Sequence, residues 1–275
     1  MATGRAYAEM MSGLLIAVLV LAAGGFAWAR FQRAQLYAKL GDRLSRLSNL
    51  PSADLGEGAA RPVPDFKNRL AVLTGFLPER LFTALKAEAE RLVSPERSYV
   101  PAHKKGGTIA YETLIAWAPE IVSFYHSPRF IEFISRVTGE RLVPTPIYDQ
   151  SSLSVLVYER PGDHIGWHYD HNFYRGRHFT VLIALDNKGR AEEGLSHATL
   201  MARTEAGELS VRTAPNTMVV FEGAAVRHKV TPILEGERRL ILSMTYCTDP
   251  GATLWQGVSR RIKDTAFFGM RALWT

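Results

Sequence analysis

Residues 10–29, bounded by Glu9 and Arg30, form a run of 20 residues without one charged side chain. At about 1.5 Å of rise per helical residue, such a run spans roughly the 30 Å hydrocarbon core of a bilayer. Gly24, Gly25 and Trp28 are all acceptable within or at the edge of a span. A cleaved signal peptide is the rival reading, because Ala27-Trp28-Ala29 has the small-x-small form of a cleavage site. Two features oppose it: the apolar run is longer than a usual signal core, and before it Arg5 is offset by Glu9. Basic residues instead follow the run, at Arg30, Arg33, Lys39, Arg43 and Arg46. Positive charge stays on the cytoplasmic side, so the expectation is a single-pass anchor with the long C-terminal part in the cytoplasm.

Beyond the run, leucines at 36, 40, 44, 47 and 50 recur at steps of three and four, which predicts an amphipathic helix continuing from the membrane. Its stripe has three possible partners: lipid, a second copy in a homodimer, or the domain, docking being the commonest outcome. Residues 51–64, rich in Pro, Gly and Ala, read as a linker. The expected divisions are a tail and transmembrane anchor (1–29), a juxtamembrane segment and linker (30–64), one catalytic-size domain (65–249) and a basic, aromatic extension (250–275).

Of the 275 residues, 47% are hydrophobic and 22% charged, which fits one globular domain plus an appendage and excludes a disordered or fibrous chain. A net charge of +6 suits nucleic acid or an anionic membrane surface. Much of that charge clusters beside the apolar run, where lipid accounts for it better, so nucleic acid is disfavoured as a partner. With Cys247 alone, neither an intramolecular disulfide nor a cysteine-held metal cluster is available.

Past the linker the chain reads first as helices and then as strands. Leu81, Leu85, Ala89 and Leu92 fall on one face after Pro78, and two more helices are expected over 119–126 and 128–139. Candidate strands are 153–158, 165–170, 179–185, 217–221, 228–231 and 239–246. Helices followed by largely antiparallel strands predict an α+β domain built around a sandwich or barrel.

Five of the eight histidines lie between 164 and 197. His164 and His168 are four apart, but Pro161, Gly162 and Gly166 argue against a helix and so against a helical zinc site. On a strand, residues two apart share a face, which places His168 with Asp170. One imidazole and one carboxylate need a third ligand to form a 2-His-1-carboxylate triad with open positions on iron(II). His228, in Arg227-His-Lys-Val-Thr-Pro232, is the best candidate. Tyr158 precedes His168 by ten residues, and Arg238 follows His228 by ten. A guanidinium there suits the far carboxylate of a dicarboxylate co-substrate.

The segments Tyr158-Glu-Arg-Pro-Gly-Asp-His-Ile-Gly-Trp-His-Tyr-Asp170 and His228-Lys-Val-Thr-Pro-Ile-Leu-Glu-Gly-Glu-Arg238 resemble the two signature regions of the 2-oxoglutarate/Fe(II) dioxygenase superfamily, in its prolyl-4-hydroxylase-like branch. The resemblance covers about 65–249, with its specific motifs in 158–170 and 228–238. It implies a double-stranded β-helix (jelly-roll) core with flanking N-terminal helices, behind one transmembrane helix. It also implies iron held by His168, Asp170 and His228, and 2-oxoglutarate bound by Arg238 with help from Tyr158. Arg239 is the alternative, since adjacent strand residues face opposite sides and only one can point inward. Fe(II), 2-oxoglutarate and O2 are the implied cofactor and co-substrates, with ascorbate as a possible accessory. Asp170 supplies the carboxylate that related halogenases lack, where chloride then binds. The Gly-Gly-Glu-like stretch often found between the motifs is reduced here to Glu193-Gly194-Leu195.

The expected activity is hydroxylation of a C–H bond in a lipid-linked or membrane-proximal substrate, with 2-oxoglutarate decarboxylated to succinate. Its rivals are a protein prolyl hydroxylase, a catalytically silent assembly subunit of a membrane complex, and, more weakly, a nucleic-acid demethylase. Of the remaining residues, His164 and His171 are expected at the rim, His178 and His197 as structural or solvent-facing, and Cys247 as a small core residue. Trp167, Asn172, Phe173, Tyr174 and Arg175 are candidates for a substrate entrance, with packing as the plain alternative. The C-terminal stretch, with Trp255, Phe267, Phe268, Arg260, Arg261 and Lys263, is expected to pack on the domain; a membrane-facing amphipathic segment is the second reading.

Overall fold

The computed structural model describes residues 2–47, 55, 61–92, 96–100 and 104–268, without side-chain detail at some of them. The chain starts with one long helix, α1 (Ala2–Leu47), then β1 (Leu70–Leu73), α2 (Glu79–Arg91), and the antiparallel pair β2 (Glu96–Val100) and β3 (Lys104–Ile109). Three short helices follow: α3 (Tyr111–Trp117), α4 (Pro119–Tyr125) and α5 (Pro128–Thr138). Next come β4 (Val143–Pro144), β5 (Leu153–Tyr158), β6 (His164–His168) and β7 (His178–Lys188). The last strands are β8 (Leu200–Thr204), β9 (Gly207–Val211), β10 (Met218–Glu222), β11 (Arg227–Val230) and β12 (Arg238–Cys247), before a final helix, α6 (Leu254–Phe268).

Prolines set where helices begin. Pro119 and Pro128 stand in the first turns of α4 and α5, where the missing N–H is no loss. Gly139 ends α5 in the left-handed region (φ 72°), which costs glycine nothing. Among the described side chains α4 has no cap of its own. The buried Glu88 of α2 serves instead, accepting the backbone N–H groups of Glu120 (3.1 Å) and Ile121 (2.9 Å).

The strands form one curled antiparallel sheet in the order β1-β10-β7-β12-β5-β3-β6-β11-β8-β9, which gives the expected jelly-roll. Side chains alternate between its two faces. Leu240, Leu242, Met244 and Tyr246 of β12 join Val181 and Ile183 of β7 and Val155 and Val157 of β5 in the larger core, beneath α2 to α5. The intervening Arg239, Ile241, Ser243 and Thr245 face the other way, into a cavity. Register fixes the rungs of that cavity: Arg239 opposite Tyr158, Ile241 opposite Leu156, Ser243 opposite Ser154. A second, smaller core around Phe221, Ala202, Leu200 and Val226 backs β8, β10 and β11.

All six anticipated strands form, β5 with the expected bounds and the others shifted by one to three residues. Unanticipated were β1, β2, β3, β4, β8 and β9, which are short, and several of them polar or glycine-rich: β3 reads KKGGTI and β9 GELSV. Nor were α3 and the helical form of 254–268 anticipated. Leu36, Tyr37, Leu44 and Leu47 pack against the core and Leu40 is buried in it, so the leucine stripe of α1 docks on the domain. Leu50, most of the 51–64 linker and residues 269–275 lie outside the described residues.

Candidate metal and co-substrate site

His168 ends β6 and His228 lies directly opposite it on β11, with ring centroids 4.1 Å apart. Asp170 follows two residues later, where its backbone N–H donates to Gly223 O (2.9 Å). Its Oδ1 lies 3.5 Å from His168 Nε2 and 3.7 Å from His228 Nε2. One ligand atom from each of the three residues falls within 4.8 Å of the others, the compactness of a shared metal site.

The second contacts fit a metal. Each imidazole places Nδ1 against a backbone carbonyl, His168 on Gly166 O (2.8 Å) and His228 on Val226 O (3.1 Å). With the Nδ1 proton donated there, the lone pair of Nε2 points at the common centre. Thr180 Oγ1 donates to Asp170 Oδ2 (2.5 Å) and fixes the carboxylate. Burial raises the Asp170 pKa, but His228 and His168 outweigh it and hold the group well below the carboxylate range. Burial pushes the His228 pKa down, against the pull of Asp170, which favours the neutral form that ligates a metal. Gly223 is required by this packing: a Cβ there would lie 2.8 Å from Asp170 Cβ and 3.0 Å from His178 Nδ1.

The cavity beside these residues has a volume of about 630 Å³. At one end lies Arg239, 1% exposed, donating through Nε and Nη2 to Thr213 Oγ1 (3.3 and 3.0 Å). Its guanidinium carbon sits 5.5 Å from the centre of the Tyr158 ring. Among the described residues no carboxylate pairs with Arg239, and the buried Tyr158 Oη has no partner. A buried cation beside an orphaned phenol is costly alone and well matched to a bound carboxylate.

Arg238 points elsewhere. It sits on the helical face, 39% exposed, 3.4 Å from both Glu90 of α2 and Asp186. The expectation that Arg238 faces the co-substrate is thereby corrected: strand alternation puts Arg239 and Tyr158 in the cavity and Arg238 outside it.

Elsewhere the cavity has a polar end. Lys104 of β3 is buried and donates to Thr108 Oγ1 (3.0 Å); burial, reinforced by Lys263, lowers its pKa to about 8. Asp149 accepts from Tyr174 Oη (2.6 Å) and from Lys263 Nζ of α6 (3.1 Å). Phe173 and His171 line the cavity. Trp167 does not: it lies on the outer face among Arg203, Arg227 and Lys229, whose cationic groups are 4.4, 5.8 and 4.9 Å from its ring centre. Asn172 caps a turn at Gly176 O (2.7 Å), and Arg175 is held at Gly251 O (2.7 Å) through its backbone. His164 bonds Gly162 O (2.7 Å), and His197 pairs with Glu237 (2.5 Å), both apart from the metal site. His178, buried beside Asp170, lines the cavity and is not solvent-facing. Sequence reasoning missed Thr180, Thr213, Gly223, Lys104, Asp149 and the cavity role of Lys263. The hydroxyl parity along β7 and β12 was a usable signal for Thr180; the others come from distant segments.

The Halogenase D family model matches residues 64–175, and the 2OG-Fe(II) oxygenase superfamily model matches residues 153–246. No curated protein matches the sequence. The fold is similar to that of SnoN, a non-heme alpha ketoglutarate dependent epimerase from nogalamycin biosynthesis (TM-score 0.56, 16% identity, 74% of this chain and 86% of that one). It is likewise similar to a 2OG-Fe(II) oxygenase family oxidoreductase from Burkholderia pseudomallei (TM-score 0.52, 17% identity, 73% and 94%). A Pseudomonas putida prolyl-4-hydroxylase also aligns (TM-score 0.48, 20% identity, 70% and 100%). Residues 153–246 thus match the 2OG-Fe(II) oxygenase superfamily, and the protein is a 2-oxoglutarate/Fe(II) oxygenase-type enzyme with Fe(II), 2-oxoglutarate and O2 as cofactor and co-substrates.

Proposed function

We propose that the protein is a membrane-anchored hydroxylase acting on a C–H bond of a lipid-linked or membrane-proximal substrate. In this reading His168, Asp170 and His228 hold the iron, and Arg239, Tyr158 and Thr213 hold the far carboxylate of 2-oxoglutarate. The bound iron supplies oxygen activation, coupled to conversion of 2-oxoglutarate to succinate and carbon dioxide. Asp170 is the observation that carries hydroxylation: a carboxylate fixed by Thr180 fills the position that related halogenases leave free for chloride. The chain's own residues do the positioning. Arg239 and Tyr158 set the depth of the co-substrate, Ile241 and Leu156 form an apolar rung that excludes water beside the metal, and the polar end at Lys104, Asp149 and Lys263 receives the substrate's head.

Anchoring is supported by the helical segment from Gly13 to Leu47, with mean hydropathy 2.0 over its most apolar window and only 6% of that window buried. Cytoplasmic placement of the domain rests on the basic residues after the apolar run. Two measurements test the proposal. Alkaline carbonate should leave the full chain in the membrane pellet, and a chain that washes out is not anchored. Supplying 18O2 to membranes holding the enzyme should place one labelled oxygen in a membrane-extractable product, absent with His228→Ala; label found only in water-soluble peptides would favour the prolyl hydroxylase instead.

A further inference from the structure

The outer face of α6 is apolar and uncovered. Leu254, Trp255, Val258 and Ile262 are 91, 81, 45 and 66% exposed. At about 100° per residue their four positions fall within roughly a 100° arc of the helix. The opposite side of α6 is polar and buried: Arg260 pairs with Asp264 (2.9 Å), and Lys263 reaches Asp149 (3.1 Å). Between the two faces, Ser259 and Lys263 line the active-site cavity, and the exposed Ile262 stands at its edge. One helix therefore carries solvent-facing hydrophobic residues on one side and a wall of the active site on the other.

Its neighbour is α1. Tyr148 joins the two helices, its ring 6.2 Å from that of Tyr37 on α1 and 4.6 Å from the guanidinium carbon of Arg260 on α6. Arg33 of α1 lies within electrostatic range of Arg260 and Arg261. Tyr37 is eight residues beyond Ala29, about 12 Å along the helix from the end of the apolar run. An exposed apolar face edged by Arg261, on a helix linked through Tyr148 to that part of α1, has the composition of a helix lying in the headgroup–acyl boundary.

We propose that α6 is the membrane-lying element of the domain: Leu254, Trp255, Val258 and Ile262 insert into the bilayer that α1 enters, while Ser259 and Lys263 wall the cavity. This rests on the anchor reading above. Its consequence is that the cavity stands against the lipid surface, and that the substrate is an amphiphile which reaches the iron site without crossing bulk water.

The single native cysteine, Cys247, is buried, so introduced cysteines can be spin-labelled selectively. The full chain is reconstituted in phosphatidylethanolamine–phosphatidylglycerol vesicles as Val258→Cys, as Leu19→Cys in the apolar run, and as Ser210→Cys on the exposed β9. Collisions of each label with oxygen and with a water-soluble nickel chelate are then compared. The proposal expects oxygen to be favoured severalfold at 258 and 19, and the chelate at 210. Oxygen-rich 19 with chelate-rich 258 overturns the α6 proposal and leaves the anchor standing. A label at 258 shielded from both reagents also overturns it, since protein, a second copy or residues 269–275, then covers the face. A chelate-accessible 19 removes the anchor itself, and α6 docking falls with it.

Discussion

Exchanging Arg239 for glutamine, with Arg238→Gln as its partner experiment, separates two neighbouring cations by the face of β12 on which they lie. Arg239 is 1% exposed, with a threonine hydroxyl as its hydrogen-bond partner and the Tyr158 ring beside it. Truncating one member of a buried, hydrogen-bonded charge pair costs about 2–5 kcal/mol. At 1.4 kcal/mol per factor of ten, 2-oxoglutarate binding should weaken by roughly thirtyfold to several thousandfold. Arg238 is 39% exposed and its two acidic partners each stand at 3.4 Å. Exposed pairs contribute about 0–1 kcal/mol, and the buried Asp186 keeps Lys86 (3.2 Å) and Lys188 (3.6 Å) when Arg238 is lost. Arg238→Gln should therefore lower Tm by no more than about 2–4 °C and leave co-substrate affinity unchanged. Calorimetric titration of 2-oxoglutarate into the anaerobic Fe(II) protein reads both variants. Weak binding in Arg238→Gln with normal binding in Arg239→Gln would refute the strand-parity reasoning.

Other perturbations probe the surroundings. Gly223→Ala sets a methyl against Asp170 and should lower Fe(II) affinity about tenfold or more by displacing a ligand while the fold persists; unchanged affinity in a metal competition titration would show that the carboxylate has room to move. Glu88→Ala removes both bonds that cap α4 and should cost about 1–3 kcal/mol, read as a fall in urea midpoint at constant slope; an unmoved midpoint would mean that water replaces the cap. Burial lowers the His126 pKa from 6.5 to about 4, with Tyr111 Oη 2.6 Å from Nε2. The unfolded chain binds the extra proton first, so this stability is complete above about pH 6.5 and is lost as pH falls through 4, by up to about 3 kcal/mol. His126→Gln should flatten that part of the Tm–pH profile, and identical profiles would locate the acid sensitivity elsewhere.

The candidate metal cluster was legible because two of its three residues are local. His168 and Asp170 share a motif, and His228 stands at a spacing that lets β11 lie against β6. Choosing between Arg238 and Arg239 by spacing from His228 failed, because spacing along a loop says nothing about which face of the next strand a residue takes. Parity within the strand did carry the answer. Ser243 and Thr245 share alternate positions with Arg239, whereas Leu240, Leu242 and Met244 share theirs with Arg238, so the polar set had to be the cavity side. The polar end of the cavity was not legible, since Lys104, Asp149 and Lys263 are brought together from β3, the segment before β5, and α6. For α6 the tryptophan and the basic residues were visible, but their division into an inner and an outer face appears only once Tyr148 and Asp149 fix its rotation. Helix α1 combines an exposed apolar part with a leucine stripe docked on the core, and only the docking of the stripe is decided by the packing.

The most direct test of the central claim is turnover of 2-oxoglutarate by the full chain. Protein purified without oxygen, loaded with Fe(II) and then exposed to air should convert 2-oxoglutarate to succinate slowly, even without its substrate. His168→Ala and Arg239→Gln should abolish this conversion, and Arg238→Gln should retain it. Wild-type protein that binds neither iron nor 2-oxoglutarate, or variants that match its succinate yield, would contradict the assignment of this cavity as the active site.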